Sequence, residues 1–412
     1  MKFIQLNPNE FDAFAQKNLS HYTQSKSHFL NRKKVQRGCH IVGVKNNKNE
    51  VIAACLLTEA RSMKVFKYFY THRGPIMNYA DVELVTFFFK HLTKYLKQNN
   101  CLFVLVDPYI IENIRNHDGE ILKSYNNQQL YKTLNKLGYA HQGFSVGYSN
   151  KSQIRWLSVL NLENKNIDDI LNNMDYKTRR NIKKTEEMGV KVRTLKEEEI
   201  PLFYKLFQMA EEKHGFSFRD ESYFKNIKNI YPENSFFKLA YIDLQTYQEK
   251  LLSQKEQALL EYRILTDKIK ENPNSKKSKT KINQIEKQIE NIETNIDNSN
   301  QLIQQHGNIL NLAAALYIYN QHEVYYLASG SNPELNKFMG AYKLQWEMIK
   351  FAKNNKINRY NFYGITGDFS DKSEDAGVIK FKKGFNGHVE ELVGDFIKPI
   401  RPIFYNIYKK LN

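Results

Sequence analysis

Between Asp243 and His306 the chain contains no glycine and a single proline, Pro273, within Asn272-Pro273-Asn274-Ser275. Past that break Ile282, Ile285, Ile289, Ile292 and Ile296 recur at steps of 3, 4, 3 and 4, the 3.5-residue period of a helix that packs along another helix. Before it, Leu244, Tyr247, Leu251, Ala258, Leu265 and Ile269 keep a looser version of the same track. The spacing predicts two antiparallel helices, over about 244–271 and 276–305, closed by Gly307. At 1.5 Å rise per residue each limb is roughly 40 Å long, so residues 243–306 are expected to project as a helical-hairpin arm.

Charge separates the arm from the rest. Its ten Lys/Arg and ten Asp/Glu cancel, with Lys276, Lys277, Lys279 and Lys281 gathered at the tip beside Lys268 and Lys270. A rigid spacer, a dimerisation element and an RNA contact all remain open to such a segment. The whole chain carries 61 Lys+Arg against 44 Asp+Glu, a net +17, so the excess sits on the remainder and points to a polyanion partner. The 26 Phe and 26 Tyr exclude a disordered chain. Three scattered cysteines, Cys39, Cys55 and Cys101, make neither a disulfide framework nor a thiolate zinc site. No apolar run approaches the about 18 residues of a membrane span, and Met1-Lys2-Phe3-Ile4-Gln5 opens no signal peptide. A soluble protein of a reducing compartment is expected.

The body repeats one pattern on either side of the arm. Ile41-Val42-Gly43-Val44, the turn Asn46-Asn47-Lys48-Asn49 and Val51-Ile52-Ala53-Ala54-Cys55-Leu56-Leu57 read as a hairpin. An apolar-periodic helix (about 81–98) and the strand Leu102-Phe103-Val104-Leu105-Val106 follow. In the second half Lys238-Leu239-Ala240-Tyr241-Ile242 pairs with Leu312-Ala313-Ala314-Ala315-Leu316-Tyr317-Ile318, the arm filling their loop. A third strand, Val324-Tyr325-Tyr326-Leu327, a helix over about 333–352 and the strand Arg359-Tyr360-Asn361-Phe362-Tyr363 complete the unit. Hairpin, helix and strand in one order twice predict a duplicated α/β unit. The expected domains are 1–145, then 146–242 with 307–412, and the arm at 243–306.

No phosphate-binding Gly-x-x-x-x-Gly-Lys-Ser/Thr loop, Gly-x-Ser-x-Gly elbow or His-Glu-x-x-His helix is present, and the 11 histidines lack ligand spacing. Metal catalysis is therefore not expected. The hairpin-helix-strand unit suggests the fold of acetyl-CoA-type acyltransferases. However, the Arg/Gln-x-x-Gly-x-Gly/Ala loop that would cradle a pyrophosphate at a helix N-terminus is missing.

Six ordered motifs carry a resemblance. They are Val65-Phe66-Lys67-Tyr68-Phe69-Tyr70, Arg73-Gly74-Pro75, Asp107-Pro108-Tyr109, Leu344-Gln345-Trp346-Glu347-Met348-Ile349, Tyr360-Asn361-Phe362-Tyr363-Gly364 and Val378-Ile379-Lys380-Phe381-Lys382-Lys383-Gly384-Phe385. Across nearly its whole length the chain resembles the Fem family of peptidoglycan interpeptide-bridge aminoacyltransferases. That resemblance implies an α/β (α+β) fold of two tandem GNAT-like subdomains with an inserted antiparallel coiled-coil arm. It implies a cytoplasmic enzyme, peripheral at the inner face of the membrane, that transfers an amino acid from aminoacyl-tRNA to lipid-linked peptidoglycan precursor. Glycine is the favoured amino acid, with serine and alanine as the others. No cofactor or metal is implied, and a homodimer or a heteromer with related Fem proteins is compatible with it. A non-catalytic tRNA- or envelope-binding scaffold and a CoA-dependent N-acyltransferase are the competing readings, the latter disfavoured by the missing loop.

The resemblance also assigns residues. Lys382 is implied to steady charge at the active site, flanked by Phe381, Phe385 and Tyr363. Asp107, ending a strand before Pro108, is implied to accept the ammonium proton or orient the amine. Arg219 and Tyr223, at i and i+4, are implied to hold the nucleotide-sugar part of the acceptor, with Tyr325 or Tyr326 lining the same channel. Gln24 and Lys33 or Lys34 stand where the family places an acceptor-binding lysine. The densest basic run, with Lys177, Arg179, Arg180, Lys183 and Lys184, suits tRNA or pyrophosphate contact. The tail from Lys398 to Asn412 mixes Ile403, Phe404, Ile407 and Tyr408 with Arg401, Lys409 and Lys410, so it either rests on a membrane or docks on the body.

Overall fold

The computed structural model describes residues 1–149, 152–214 and 219–411. In chain order its strands begin β1 (Lys2–Gln5), β2 (Cys39–Lys45), β3 (Val51–Ser62), β4 (Phe66–Tyr70), β5 (Ile76–Met77) and β6 (Cys101–Val106). Then come β7 (Ile111–Arg115), β8 (Ile121–Ser124), β9 (Ala140–His141), β10 (Trp156–Asn161), β11 (Lys191–Thr194) and β12 (Ser235–Asp243). The series closes with β13 (Ile309–Tyr319), β14 (Glu323–Ser331), β15 (Arg359–Ile365), β16 (His388–Leu392) and β17 (Phe396–Pro399). Hydrogen bonding sorts them into two sheets, β1-β2-β3-β4-β6-β17-β9 with β5 on β3, and β11-β12-β13-β14-β15-β10-β16-β7-β8.

The two sheets share one wiring. Antiparallel β1 to β4 match antiparallel β11 to β14. Each run then meets a parallel strand, β6 beside β4 and β15 beside β14, and beyond it an antiparallel one, β17 or β10. A parallel neighbour needs a crossover, supplied by the helices Val82–Gln98 and Gly340–Asn354. The first buries Leu84, Val85, Phe88, Phe89, Leu92 and Leu96, one face of a 3.6-residue period, and is capped by Asp81, which accepts from the Leu84 N–H. The second begins later than the sequence pattern predicts. Pro333–Phe338 forms a 3-10 turn, and Met339 adopts φ +57° before the helix starts at Gly340. There the backbone runs so close to β13 that a Cβ on Gly340 would lie 2.7 Å from Leu312 Cβ.

The sheets do not divide the chain at 145. β7 and β8 leave the first half to join the second sheet through β16, and β17 returns from the C-terminal end to pair with β6 and β9. The open edges beside β6 and β16 carry unpaired backbone groups, and a strand from the other half satisfies them. Chain order carries no record of that exchange.

Residues 244–306 form two helices, Leu244–Glu271 and Lys276–His306, with N-caps Asp243 and Ser275. Leu244, Leu251 and Ala258 on one and Ile285, Ile292 and Ser299 on the other are buried, each set spaced by whole heptads. Lys255 and Glu293 pair at 2.7 Å and Tyr262 donates to Glu286 at 3.1 Å across the seam. At the root Leu244, Tyr247, Leu302 and Ile303 pack into the core of the second sheet. Among the described residues no helix is long and apolar enough to cross a membrane.

The root and the distal arm should therefore behave differently on excision. Replacing residues 256–292 by a short Gly-Ser turn should leave the body's cooperative unfolding within about 0.5 kcal/mol of wild type, because loop length costs little. Replacing 244–305 strips buried side chains from the core and should cost several kcal/mol, at roughly 1.5–3 kcal/mol per fully buried large apolar side chain. Urea unfolding of both variants checks this, and equal losses would show that the distal coil also supports the body.

Candidate active site

Because β4 and β6 run parallel, their C-terminal ends emerge together, and Tyr70 pairs with Leu105. Asp107 follows β6 directly. Its carboxylate accepts from the Tyr70 hydroxyl at 2.9 Å, the Thr71 hydroxyl at 3.4 Å and the Arg73 N–H at 2.6 Å. His72 and Arg73 both have positive φ (+42° and +65°), and this left-handed turn carries the Arg73 amide back onto Asp107. The carboxyl is 1% exposed. Burial pushes its pKa up to about 7 against the nearby Arg73 guanidinium, and Asp395 pushes the same way.

The Arg73 guanidinium is itself buried, donates to the Ile154 carbonyl, leaves Nε without a partner and lies 5.8 Å from the Tyr109 ring centre. With Pro75, Tyr109, Asn127, Arg359 and Glu390 it lines a cleft of about 440 Å³ between the two sheets. One wall of this cleft is a buried charge network. The parallel register sets Arg359 opposite Glu323, and Arg359 donates to Glu323 at 2.9 Å and to both Glu390 oxygens at 2.8 and 2.7 Å. Tyr109 donates to Glu323 at 2.9 Å, and Tyr325 donates to the same carboxylate. Burial alone would raise Glu390, but Arg359 and His388 hold it down at about 2.

Behind Tyr109 lies a buried cluster of aromatic rings. His21 lies 4.2 Å from Tyr22, 5.0 Å from Tyr325 and 5.4 Å from Tyr109, centre to centre. Burial drives His21 well below the usual histidine range, and Arg73 and His72 act in the same direction, so its ring is neutral at pH 7. Tyr363 has φ +65°. Its ring stacks toward His21 at 6.5 Å and feels Arg73 and Asp107.

The carbonyl of that same residue faces the other way. Lys382, in the last turn of the helix Ala376–Lys383, turns inward at 3% exposure and donates to Gly364 O at 2.7 Å and Tyr363 O at 3.3 Å. Burial lowers its pKa to about 7, with Asp375 opposing. Burial and Lys382 together push nearby His117 to about 4. Tyr363 thus relates the two candidate catalytic groups: its side chain is within electrostatic reach of Asp107, and its carbonyl accepts from Lys382. Among the described residues no group of three or more His, Cys, Asp or Glu could hold a metal ion.

Other expected residues divide. Tyr325 joins the cluster, whereas Tyr326, one step along β14, faces the other side of the sheet, donating to Ser329 and lying 5.5 Å from Tyr317. Tyr223, half-buried, lies within electrostatic reach of Tyr22 and Tyr363, and exposed Arg219 sits 5.5 Å over its ring. Phe385 is fully buried among Phe381, Phe362 and Tyr342; it anchors the helix of Lys382 rather than lining the cleft, and Phe381 packs at its edge. Gln24 is no acceptor ligand. Its side chain is consumed by the backbone of Leu56, Thr71 and His72. Lys33 and Lys34 end the helix Lys26–Lys34 facing solvent, joined to the Tyr223 helix through the His28–Tyr231 hydrogen bond of 3.1 Å.

In the basic helix Tyr176–Glu187, Thr178, Asn181, Ile182 and Thr185 face inward, leaving Lys177, Arg180, Lys183 and Lys184 outward. Arg179 is tied to the Asn172 and Met174 carbonyls. The helix start abuts that of Lys382: Asp175 N donates to Gly384 O at 3.0 Å, and a Cβ on Gly384 would overlap Thr178 Oγ1. Sequence reasoning missed His21, Tyr22, Glu323, Arg359, Glu390 and Asp395. The charges that open β14 and β15, next to buried apolar residues, were the available signal.

The sequence matches the FemAB family over residues 6–412. It is 44% identical over 414 residues to the aminoacyltransferase FemA of Staphylococcus epidermidis, covering 100% of this chain and 99% of that protein. It is 42% identical over 412 residues to the aminoacyltransferase FemA of Staphylococcus aureus, covering 100% and 98%. A crystal structure of FemX superposes with a TM-score of 0.83 at 22% identity, covering 99% of this chain and 100% of that one, a likeness of fold.

The charge network sets a stability prediction. Arg359→Met leaves two buried carboxylates without their cation and should cost about 3–5 kcal/mol. Urea unfolding at pH 7 measures it, and a loss below about 1 kcal/mol would mean that water or rearrangement replaces the guanidinium.

Proposed function

Because the chain belongs to the FemAB family, we propose that this aminoacyltransferase moves an amino acid, glycine first and serine next, from aminoacyl-tRNA to the free amine of the cross-bridge peptide on lipid-linked peptidoglycan precursor. The reaction is aminolysis. The amine loses a proton and attacks the ester carbonyl, a C–N bond forms, and the C–O bond to the ribose breaks with its oxygen taking up a proton. No covalent enzyme intermediate is required; the protein supplies alignment, proton transfer and stabilisation of the oxyanion.

The observation that carries this reading is the buried Lys382, aimed by two carbonyls and changing charge near neutral pH. As an ammonium it stabilises the developing oxyanion and can hand a proton to the leaving ribose oxygen. Asp107 ionises in the same range and takes the proton of the acceptor amine onto its carboxylate, directly or by way of the Thr71 hydroxyl that it binds. The cleft between the sheets suits the acceptor peptide. Arg219 and Tyr223 suit its phosphate-bearing end, and the outward lysines of the helix Tyr176–Glu187 suit tRNA phosphates beside the helix of Lys382. The direct test incubates purified protein with each charged tRNA and lipid-linked precursors bearing different bridge lengths, read by mass spectrometry. No added residue with any charged tRNA would sink the reading.

Lys382→Ala should lower single-turnover transfer on the order of 10²-fold, or roughly 3 kcal/mol, with substrate affinity little changed. Lys382→Arg should restore part of the rate and Lys382→Met almost none. The pH profile supplies the sign. Lys382 is charged below about 7 and Asp107 is ionised above about 7, so the wild-type rate should peak narrowly near neutrality. Lys382→Arg should remove the alkaline fall and Asp107→Asn the acidic rise. Profiles of the three proteins that superimpose would make both residues bystanders.

For the donor, tRNA affinity should fall steeply with salt, each neutralised phosphate adding about 0.9 to the log–log slope. Lys183→Glu with Lys184→Glu should flatten that slope by about two contacts' worth in filter binding. A slope unchanged by the pair would place the tRNA elsewhere.

A further inference from the structure

We propose that the C-terminal helix Pro402–Leu411, together with the turn joining β3 to β4, is a docking surface for an anionic lipid bilayer. The helix has two apolar faces where a helix packed on a core needs one. Tyr405 and Tyr408 point to the body, their ring centres 5.1 and 5.4 Å from Phe103. At 100° per residue Ile403, Phe404, Ile407 and Leu411 fall on a separate arc of about 100°. These four side chains are 76%, 45%, 45% and 72% exposed, so the described residues leave the arc open to solvent.

The stripe continues onto the β3–β4 turn. Phe404 meets Phe66 at 4.9 Å, and Val65 beside it is 71% exposed. A contiguous apolar patch of this kind on a water-facing surface marks a binding site rather than ordinary exposure.

The charges around the patch choose its occupant. From Phe396 to Asn412 the chain has no acidic residue. Lys410 flanks the stripe, about 20° from Ile403 on the helix, while Lys409 lies over the Tyr405 ring on the opposite side, and Arg61 and Lys64 stand exposed on the hairpin. Glu59, the nearby carboxylate of β3, is held by Lys67 and His40. A second copy seated here by two-fold symmetry would set these cations against themselves. Ten residues cannot span a bilayer. An apolar stripe bordered by Lys410 and the hairpin cations instead lies in the interface plane, its side chains among acyl chains and the cations among anionic headgroups. The inference stands on this surface alone and does not depend on the reaction proposed above.

Flotation of the full chain with vesicles tests it. Wild type should float with phosphatidylcholine vesicles containing phosphatidylglycerol and much less with phosphatidylcholine alone. Ile403→Asp with Ile407→Asp should lower partitioning at least tenfold, and Lys64→Ala with Lys410→Ala should lower it by about fivefold for each lysine removed. Val65→Asp, on the turn, serves as the second variant should the helix variants fail to fold. Transfer to a water-soluble acceptor peptide should be unchanged in all of them, which separates loss of docking from loss of catalysis. Wild type that ignores anionic vesicles, or variants that bind them as well as wild type, would overturn the proposal. So would a patch-dependent dimer without vesicle binding, which would assign the surface to a second copy.

Discussion

Two parallel strand pairs, β4 with β6 and β14 with β15, organise this protein. A parallel pair brings both strands out at one edge of the sheet, where ladder hydrogen bonding stops and side chains must satisfy what the ladder leaves. At the first pair, Tyr70, Thr71 and Arg73 converge on Asp107. The second pair holds register only from Glu323 to Tyr325 against Arg359 to Asn361. β10 pairs with the other edge of β15 from Arg359 to Ile365, so past Asn361 β15 keeps that neighbour alone, and the Tyr363 and Gly364 carbonyls become the seat of Lys382. The candidate site is the place where both pairs end, and the exchange of β7, β8 and β17 between sheets holds those ends together.

Buried charge is handled in two ways within a few side chains. Arg359 meets two carboxylates, so each charge is matched and Glu390 stays ionised far below neutral pH. Such a network holds geometry, binding the Tyr109 segment of the first half to β14 of the second. Lys382 meets carbonyl dipoles instead. These orient the amine without cancelling its charge, so desolvation moves its pKa into the neutral range. Asp107 is similar, its hydrogen bonds too weak to offset complete burial. Groups that change charge near pH 7 suit proton transfer, and groups locked in one state suit scaffolding.

The same division separates the surfaces. The helix Tyr176–Glu187 presents cations without an apolar stripe, beside Lys382, as a polyanion requires. The helix Pro402–Leu411 presents Lys410 beside an apolar stripe, at the other end of β6 from Asp107, since β17 leads into it by pairing Pro399 with Phe103. An excess of +17 is therefore distributed over faces of different chemistry rather than spread evenly.

Local periodicity made much of this legible. The Ile282 to Ile296 seam, the 3.6-residue face of Val82–Gln98 and the alternating strands are set by neighbours in sequence, because helices and hairpins form from contacts a few residues apart. Lys382 and Asp107 stood out through the motifs around them. Strand order alone could not show that Phe396–Pro399 crosses to β6, nor that Tyr325 rather than Tyr326 faces the cluster, since register decides which alternate residue points inward. Phe385 and Gln24 read as site residues until packing placed one in the core and spent the other on backbone. Local pattern thus accounts for the elements and their repetition. Which charges are buried beside which partners was left to packing, because Arg359 with Glu390 and Tyr70 with Asp107 meet across gaps that no local pattern spans.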